Sequence, residues 1–390
     1  MRLSPVILAA VVAAAPCAAQ APRAQAVPAN APLTMDPAVR TGRLPNGLRY
    51  YVRRNARPEK RAELRLVVNA GSILETDAQR GVAHFVEHMA FNGTRRFPKS
   101  AIVDFLERIG MRFGADVNAS TSFDETTYML QVPTDTAKFV ETGLDILEDW
   151  AHGISFDPAE LQKERGVVVE EWRSGRDAIT RVSNRQIPVM LRGSAYADRL
   201  PIGTKENLES FPDSVARAFY RDWYRPDLMA VIAVGDFDPA TMARLIQARF
   251  ARIPMPNAPR RRAEAPVPDH AETLVSIEAD REYPGRDVSM LWLKPRMHER
   301  TTADMRRGLV ARFHDTMLNL RFAEQLDVVD PDALHAARNT LRREMAAALK
   351  DELLGHPVVG AEYHQGGGQE DQRGGDEPDQ GAADAGSGGV

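Results

Sequence analysis

Residues 81–94 read GVAHFVEHMAFNGT, and this stretch bears on both the fold and the chemistry of the chain. It lies inside a run with helical spacing of apolar residues, which predicts a helix over Asp77 to Phe91 that stops at Asn92-Gly93. His84 and His88 are four residues apart, so on a helix both imidazoles project from one face and can converge on one metal ion.

Glu87 lies beside that face, where it can reach a metal-bound water without being a ligand. The pattern is H-x-x-E-H, the inverse of the better-known zinc helix. An ordinary amphipathic helix with solvated histidines fits the five residues HFVEH equally well, so the motif alone leaves both interpretations open. A catalytic zinc ion needs a third protein ligand and an open position for water.

A second candidate helix carries glutamates at a useful spacing. Glu164 and Glu171 are seven residues apart, almost two full turns, so both side chains point the same way. Glu170 is off that face by about a third of a turn and receives no assignment. One glutamate could complete a set of two histidines and one carboxylate, and the other could orient a ligating histidine. The alternative is a charged helix face exposed to solvent.

Four stretches together carry a resemblance to a known family. They are GVAHFVEHMAFNGT (81–94), GADVNASTSFDETTY (114–128), KERGVVVEEW (163–172) and FYRDWYRPDLMAVIAVGDFDP (219–239). In this order they resemble the pitrilysin/insulinase family of zinc metallopeptidases, which includes the mitochondrial processing peptidase, and in particular its bacterial exported members. The resemblance covers roughly residues 40 to 255.

The resemblance implies a function and a set of roles. It implies a zinc-dependent endopeptidase that acts on short or unfolded peptides, with one zinc ion per chain bound by His84, His88 and Glu171. Glu87 would be the general base that accepts a proton from a zinc-activated water, and Glu164 would support the ligands from behind. The family's peptide-binding edge strand, where substrate adds as an extra strand, would correspond to Asn118, Ala119 and Ser120.

The order of predicted elements indicates an α+β fold, an antiparallel sheet layered with helices as in processing peptidases. Strand-length runs and amphipathic helices alternate in a predicted catalytic domain at residues 41–253. The predicted strands include Leu48–Arg53, Ala62–Asn69, stretches within Asp116–Val132, and Leu228–Val234; the predicted helices include Ser100–Ile109, Thr136–His152, one from Pro158 through Arg173, and Pro239–Phe250.

The sequence that follows this domain indicates a second, incomplete domain. A Pro- and Arg-rich linker at residues 254–268 precedes predicted strands at Thr273–Glu278 and Asp287–Leu293 and a helix from about Thr301 to Glu324. These belong to a partial second domain at residues 269–350. Residues 351–390 include a Gly-, Asp- and Gln-rich run with almost no apolar residues, which predicts a disordered tail.

The N-terminus predicts export to the periplasm or secretion. Residues 1–19 have a basic start, a short apolar run and small residues, as in a signal peptide, and residues 20–40 are a flexible lead-in. Cleavage after Ala21 instead of Ala19, a retained anchor, and a lipid-modified Cys17 are the alternatives. No membrane span is expected after signal removal, and the net charge of -4 gives no basic footprint for nucleic acid.

The resemblance also implies partners. Family members enclose substrate between a catalytic and a non-catalytic half, and no second half is recognised in this chain, so a truncation or a frame change after about residue 327 is one hypothesis. Peptide substrates are expected, together with a second peptidase-like half or subunit. The alternative function is an inactive or partner-dependent half-enzyme that acts as a peptide-binding or assembly subunit.

Overall fold

The computed structural model describes residues 28, 30–296 and 298–326. The predicted signal peptide, Cys17, residues 20–27 and 29 of the lead-in, residues 327–350 of the predicted second domain and the predicted tail lie outside these residues. The described residues fall into two compact units, Thr34–Val288 and a second formed by the described residues before 34 and after 288. The predicted domain boundaries stay predictions.

The larger unit is built on a six-stranded sheet with the order β1-β2-β6-β3-β5-β4. Its strands are β1 Val39–Arg43, β2 Arg49–Arg54, β3 Arg61–Val68, β4 Val117–Thr121, β5 Thr126–Pro133 and β6 Met229–Gly235. Only β2 and β6 pair in parallel, and every other neighbouring pair is antiparallel. In β3, β5 and β6 buried residues alternate with half-buried ones, because successive side chains point to opposite faces of a sheet.

The helices of this unit are α1 Val82–Met89, α2 Ala101–Arg108, α3 Ala137–His152, α4 Pro158–Ser174, α5 Ala178–Met190, α6 Lys205–Ser210, α7 Asp213–Trp223 and α8 Pro239–Phe250. Three of them, α1, α3 and α8, pack against strands of the sheet. α3 approaches the sheet closely at Gly143, where a Cβ atom would lie 3.0 Å from the Leu64 side chain. Trp150 on α3 is fully buried and donates a hydrogen bond from Nε1 to the carbonyl of Ala90, 2.9 Å away. This contact fixes the end of α1 against the core.

The predicted α+β fold class and most of the predicted elements are confirmed. The first helix is shorter than predicted, because Gly81 adopts a left-handed conformation with φ 95° and separates a 3-10 turn at Asp77–Gln79 from α1. No element had been predicted at strand β1 or at helices α5, α6 and α7. The long helix of the smaller unit is α9, Thr302–Leu326, close to its predicted bounds.

The predicted strands at residues 273–278 and 287–293 are wrong. Both stretches lie outside regular secondary structure, although the first has the alternating pattern of a strand. A strand needs a partner for its backbone hydrogen bonds, and this segment instead forms side-chain ion pairs with α5. Arg185 of α5 pairs with Glu278 at 2.6 Å, and Arg181 pairs with Asp280 at 2.7 Å.

Candidate metal centre and cleft

Helix α1 is held at its N-terminus by a buried carboxyl group. Gly81 has no side chain to cap the helix, and Glu75 takes this role from a preceding loop: its Oε1 accepts from the Ala83 N–H at 2.7 Å and its Oε2 from the Gly81 N–H at 3.1 Å. Unpaired N–H groups at a helix start attract such an acceptor. Burial nevertheless raises the pKa of Glu75 to about 8, against the lowering effect of the Ala83 and Gly81 N–H groups.

Helix α4 begins where Asp157 accepts hydrogen bonds from two backbone N–H groups and Pro158 occupies the first turn. Arg165 ties the helix to its surroundings. Its guanidinium lies 4.3 Å from the centre of the Phe211 ring and 5.9 Å from that of Phe85 on α1. The packing of α4 against α1 sets the distance between the predicted glutamates and histidines.

The three predicted metal ligands come together. The Nε2 atoms of His84 and His88 are 3.2 Å apart, and Glu171 places one carboxylate oxygen 3.2 Å from His88 Nε2 and the other 3.7 Å from His84 Nε2. One ligand atom from each residue lies within 4.8 Å of the other two. Two nitrogens bound to one tetrahedral zinc ion stand roughly 3.3 Å apart for Zn–N bonds of about 2.0–2.1 Å, so the separations fit zinc.

Glu164 lies behind His88, on the side away from the other ligand atoms. Its Oε1 is 2.7 Å from His88 Nδ1 and its Oε2 accepts from Asn92 Nδ2, also at 2.7 Å. A carboxylate only accepts, so His88 carries a proton on Nδ1 and directs Nε2 toward His84 and Glu171. Glu164 thus orients a predicted ligand from behind.

Burial and neighbouring charges shift the pKa values of all three predicted ligands. Burial, helped by the charge of His88, lowers the pKa of His84 to about 4, so that imidazole is neutral at pH 7, as a metal ligand must be. For His88, burial opposes the charged form, but the hydrogen bonds with Glu164 and Glu171 outweigh it and raise the pKa to about 10. A proton and a metal ion therefore compete for His88 Nε2. The same hydrogen bond from His88 holds the pKa of Glu171 below its usual value.

Glu87 is buried next to these ligands. Its side chain is 7% exposed, and its Oε2 accepts a hydrogen bond from Thr121 Oγ1 at 2.6 Å. Burial raises the pKa of Glu87 to about 7, and the Thr121 hydrogen bond works against this shift. A carboxylate with a pKa near neutrality is suited to accept and return a proton at physiological pH.

The cluster opens into a cleft of about 940 Å³. Asn118, Ala119 and Ser120 line it from strand β4, which is an edge of the sheet in the described part of the chain. The Asn118 side chain accepts a hydrogen bond from the Ala119 N–H at 2.9 Å. Apolar and basic side chains complete the lining, among them Phe91, Val103, Phe113, Val167, Lys99 and Lys163.

The structure thus brings together the side chains of all five residues predicted for zinc chemistry, and it places the three predicted peptide-binding residues in the same cleft. Glu170 points elsewhere and pairs with Arg173 at 2.6 Å. No role in the site had been predicted for Thr121, Asn92 or Glu75. Asn92 follows His88 at helical spacing, which could have indicated a shared face, whereas only the fold brings Thr121 and Glu75 to α1.

Comparisons with known proteins agree with this geometry. Residues 50–189 match the family described as insulinase (peptidase family M16). Residues 214–307 match a second family model, described as the peptidase M16 inactive domain. The chain is 42% identical over 281 residues to "Zinc protease PQQL-like" from Arabidopsis thaliana. This match covers 72% of this chain and 29% of that protein. It is 33% identical over 296 residues to "Probable zinc protease PqqL" from Haemophilus influenzae, covering 76% and 32% of the two chains.

A solved structure is also similar, that of the first half of the periplasmic protease PqqL from Escherichia coli. It shows 38% identity and a TM-score of 0.58, and the match covers 62% of this chain and 51% of that one. The fold and these relatives, two of which are described as zinc proteases, place the chain in a class of proteins related to zinc metallopeptidases. The chain belongs to the insulinase family, peptidase family M16. It spans 29% and 32% of the lengths of the Arabidopsis and Haemophilus relatives.

Proposed function

We propose that this chain is a zinc-dependent endopeptidase that hydrolyses short or unfolded peptides. The observation that carries the proposal is the convergence of His84, His88 and Glu171 within 4.8 Å, directly beside the buried carboxylate of Glu87 and at an open cleft. A residue in a cleft whose pKa is shifted by burial and by a specific charged neighbour marks a candidate functional site, and Glu87 beside this cluster is such a residue.

In this proposal one zinc ion is held by His84 Nε2, His88 Nε2 and the Glu171 carboxylate. Zinc bound there would supply a Lewis acid that polarises the scissile carbonyl and makes a water molecule more acidic. Glu87 accepts the proton of the attacking water and later passes it to the leaving amine. Glu164 and Asn92 keep His88 in the ring orientation that presents Nε2 to the cluster.

The substrate is proposed to bind in extended form along β4. An exposed strand edge offers N–H and C=O groups to any peptide backbone, which favours broad sequence tolerance. The N–H of Ala119 is one such group, but the Asn118 side chain occupies it at 2.9 Å. An incoming peptide that pairs at this position displaces the Asn118 amide and takes over its hydrogen bond.

We also propose that the chain acts outside the cytoplasm, in the periplasm or as a secreted protein. The Escherichia coli relative is described as periplasmic, and residues 1–19 have the pattern of a signal peptide. None of the helices in the described part of the chain has the length and apolarity to cross a bilayer. Fractionation of cells that express the tagged chain tests this, and retention of the uncleaved chain in the cytoplasm contradicts it.

Activity of this chain alone is a separate question, because it spans about a third or less of two of its relatives. The test is cleavage of an internally quenched peptide by the purified chain, with bound zinc measured on the same sample. A parallel reaction contains the second half of Escherichia coli PqqL as a separate chain. Zinc binding with cleavage in either reaction supports the proposal, and cleavage only in the second identifies a partner-dependent enzyme.

Two other results contradict the endopeptidase proposal. Bound zinc without cleavage in either reaction favours the alternative of a peptide-binding or assembly subunit. A chain that binds no zinc at all contradicts the metal assignment itself. Removal of zinc with a chelator, followed by its return, is the control that connects any cleavage to the metal.

A further inference from the structure

The side chain that holds Glu87 in place belongs to the sheet. Thr121 Oγ1 donates to Glu87 Oε2 at 2.6 Å, and this is the carboxylate's only hydrogen bond to the described residues. Glu87 Oε1 receives none from them, and the residue lines the cleft. One carboxylate oxygen is therefore fixed, and the other remains available to a proton donor in the cleft.

Thr121 is itself held rigidly. It is the last residue of β4 and lies opposite Thr126 of β5, whose Oγ1 is 3.3 Å from its own. Thr126 is fully buried and donates to the carbonyl of Ala70 at 2.9 Å. A hydroxyl has one proton to donate, and Thr121 directs its own to Glu87, because the carboxylate oxygen at 2.6 Å is a closer and stronger acceptor than Thr126 Oγ1 at 3.3 Å. The β-branched threonine side chain also has few alternative rotamers.

We infer that Thr121 is the positioning residue of Glu87, an inference that rests on the proposed function. It fixes the carboxylate in the orientation from which Glu87 accepts a proton. Thr121 directly follows Asn118, Ala119 and Ser120, the residues proposed to pair with substrate. The strand that receives the peptide and the residue that orients the base are thus one rigid element, which couples peptide position to base position.

The test replaces the hydroxyl without changing the shape of the side chain. In Thr121→Val we expect kcat to fall about 10- to 100-fold, the range for one hydrogen bond to a charged group. KM and bound zinc should stay within twofold of wild type, because the hydrogen bonds of the Thr121 side chain to the described residues go to Glu87 and Thr126 and not to the predicted ligands. Thr121→Ser restores the donor and should recover most of kcat. Thr127→Val is the matched control, since Thr127 is on the opposite face of β5.

Wild-type kcat in Thr121→Val would overturn the inference, and so would an equal loss of kcat in Thr121→Ser. A second measurement does not depend on activity: unfolding temperatures of Thr121→Val, Glu87→Ala and the double variant at one fixed pH. A hydrogen bond between the two side chains predicts that Thr121→Val has a smaller effect in the Glu87→Ala background. Additive effects contradict it.

These two measurements separate the failure of the inference from the failure of the proposed function. If the wild-type chain cleaves no peptide with or without the added half, the proposed function fails. The unfolding cycle alone then decides whether Thr121 holds Glu87. If the wild type cleaves and the cycle is additive, the proposed function stands and the positioning role of Thr121 is wrong.

Discussion

Glu164→Gln should weaken zinc binding although Glu164 does not approach the zinc position. Its two oxygens each accept one hydrogen bond of 2.7 Å, from His88 Nδ1 and from Asn92 Nδ2. A glutamine amide has one acceptor oxygen and one NH₂ group. Its oxygen can accept from His88 or from Asn92, and its NH₂ group then points at the N–H of the other residue, where no hydrogen bond can form. Asn92 cannot simply reverse its amide, because the same Nδ2 also donates to the His88 carbonyl at 3.1 Å.

The expected loss follows from that lost hydrogen bond and the lost charge. A hydrogen bond to a charged group is worth about 1.5–3 kcal/mol, and about 1.4 kcal/mol corresponds to a factor of ten. We therefore expect zinc to bind roughly 10- to 100-fold more weakly, the range found when a partner behind a metal ligand is changed.

The assay is competition for zinc against a chromophoric chelator at constant pH. The matched control is Glu170→Gln on the same helix. The Glu170 carboxylate pairs with Arg173 and with no other described residue, so this change should leave zinc affinity within about twofold. Equal affinities for wild type and Glu164→Gln would refute the view that Glu164 orients His88.

Two further predictions concern the start of α1 and the edge of the sheet. The pKa of Glu75 is raised from 4.5 to about 8, so its folded state retains a proton that the unfolded chain loses, and stability falls as pH rises across that window. The free energy of unfolding of wild type, measured with denaturant and compared with that of Glu75→Gln, should therefore decrease between pH 5 and pH 8. A difference between the two proteins that stays constant over this range would refute the account of a buried, protonated Glu75. Asn118→Ala frees the Ala119 N–H for substrate, so KM should fall about 2- to 10-fold with kcat unchanged, and a raised KM would argue against peptide pairing there.

Local sequence patterns predicted the elements that carry the predicted ligands. His84 and His88 on one helix, and Glu164 and Glu171 on another, follow from helical spacing alone. The pairing of these two helices does not, because it depends on contacts such as Arg165 of α4 with Phe85 of α1 that join residues far apart in sequence. The resemblance to a known family supplied the pairing that spacing could not.

The missed residues share a physical reason. Thr121 and Glu75 act on α1 through the tertiary fold, and neither has a local pattern that indicates a role. The predicted strand at residues 273–278 failed for a related reason: alternation indicates that a segment can form a strand, but the described chain offers it no partner strand. Glu278 at the end of this segment and Asp280 just after it instead pair with arginines of α5.

The most direct test of the zinc peptidase account is the cleavage rate of Glu87→Gln, measured on a preparation whose zinc content is also determined. The account predicts wild-type zinc content, because Glu87 is outside the ligand set of His84, His88 and Glu171. It predicts a loss of cleavage of about 100-fold or more, the contribution expected of a general base. Cleavage near the wild-type rate with zinc bound would contradict the role assigned to Glu87.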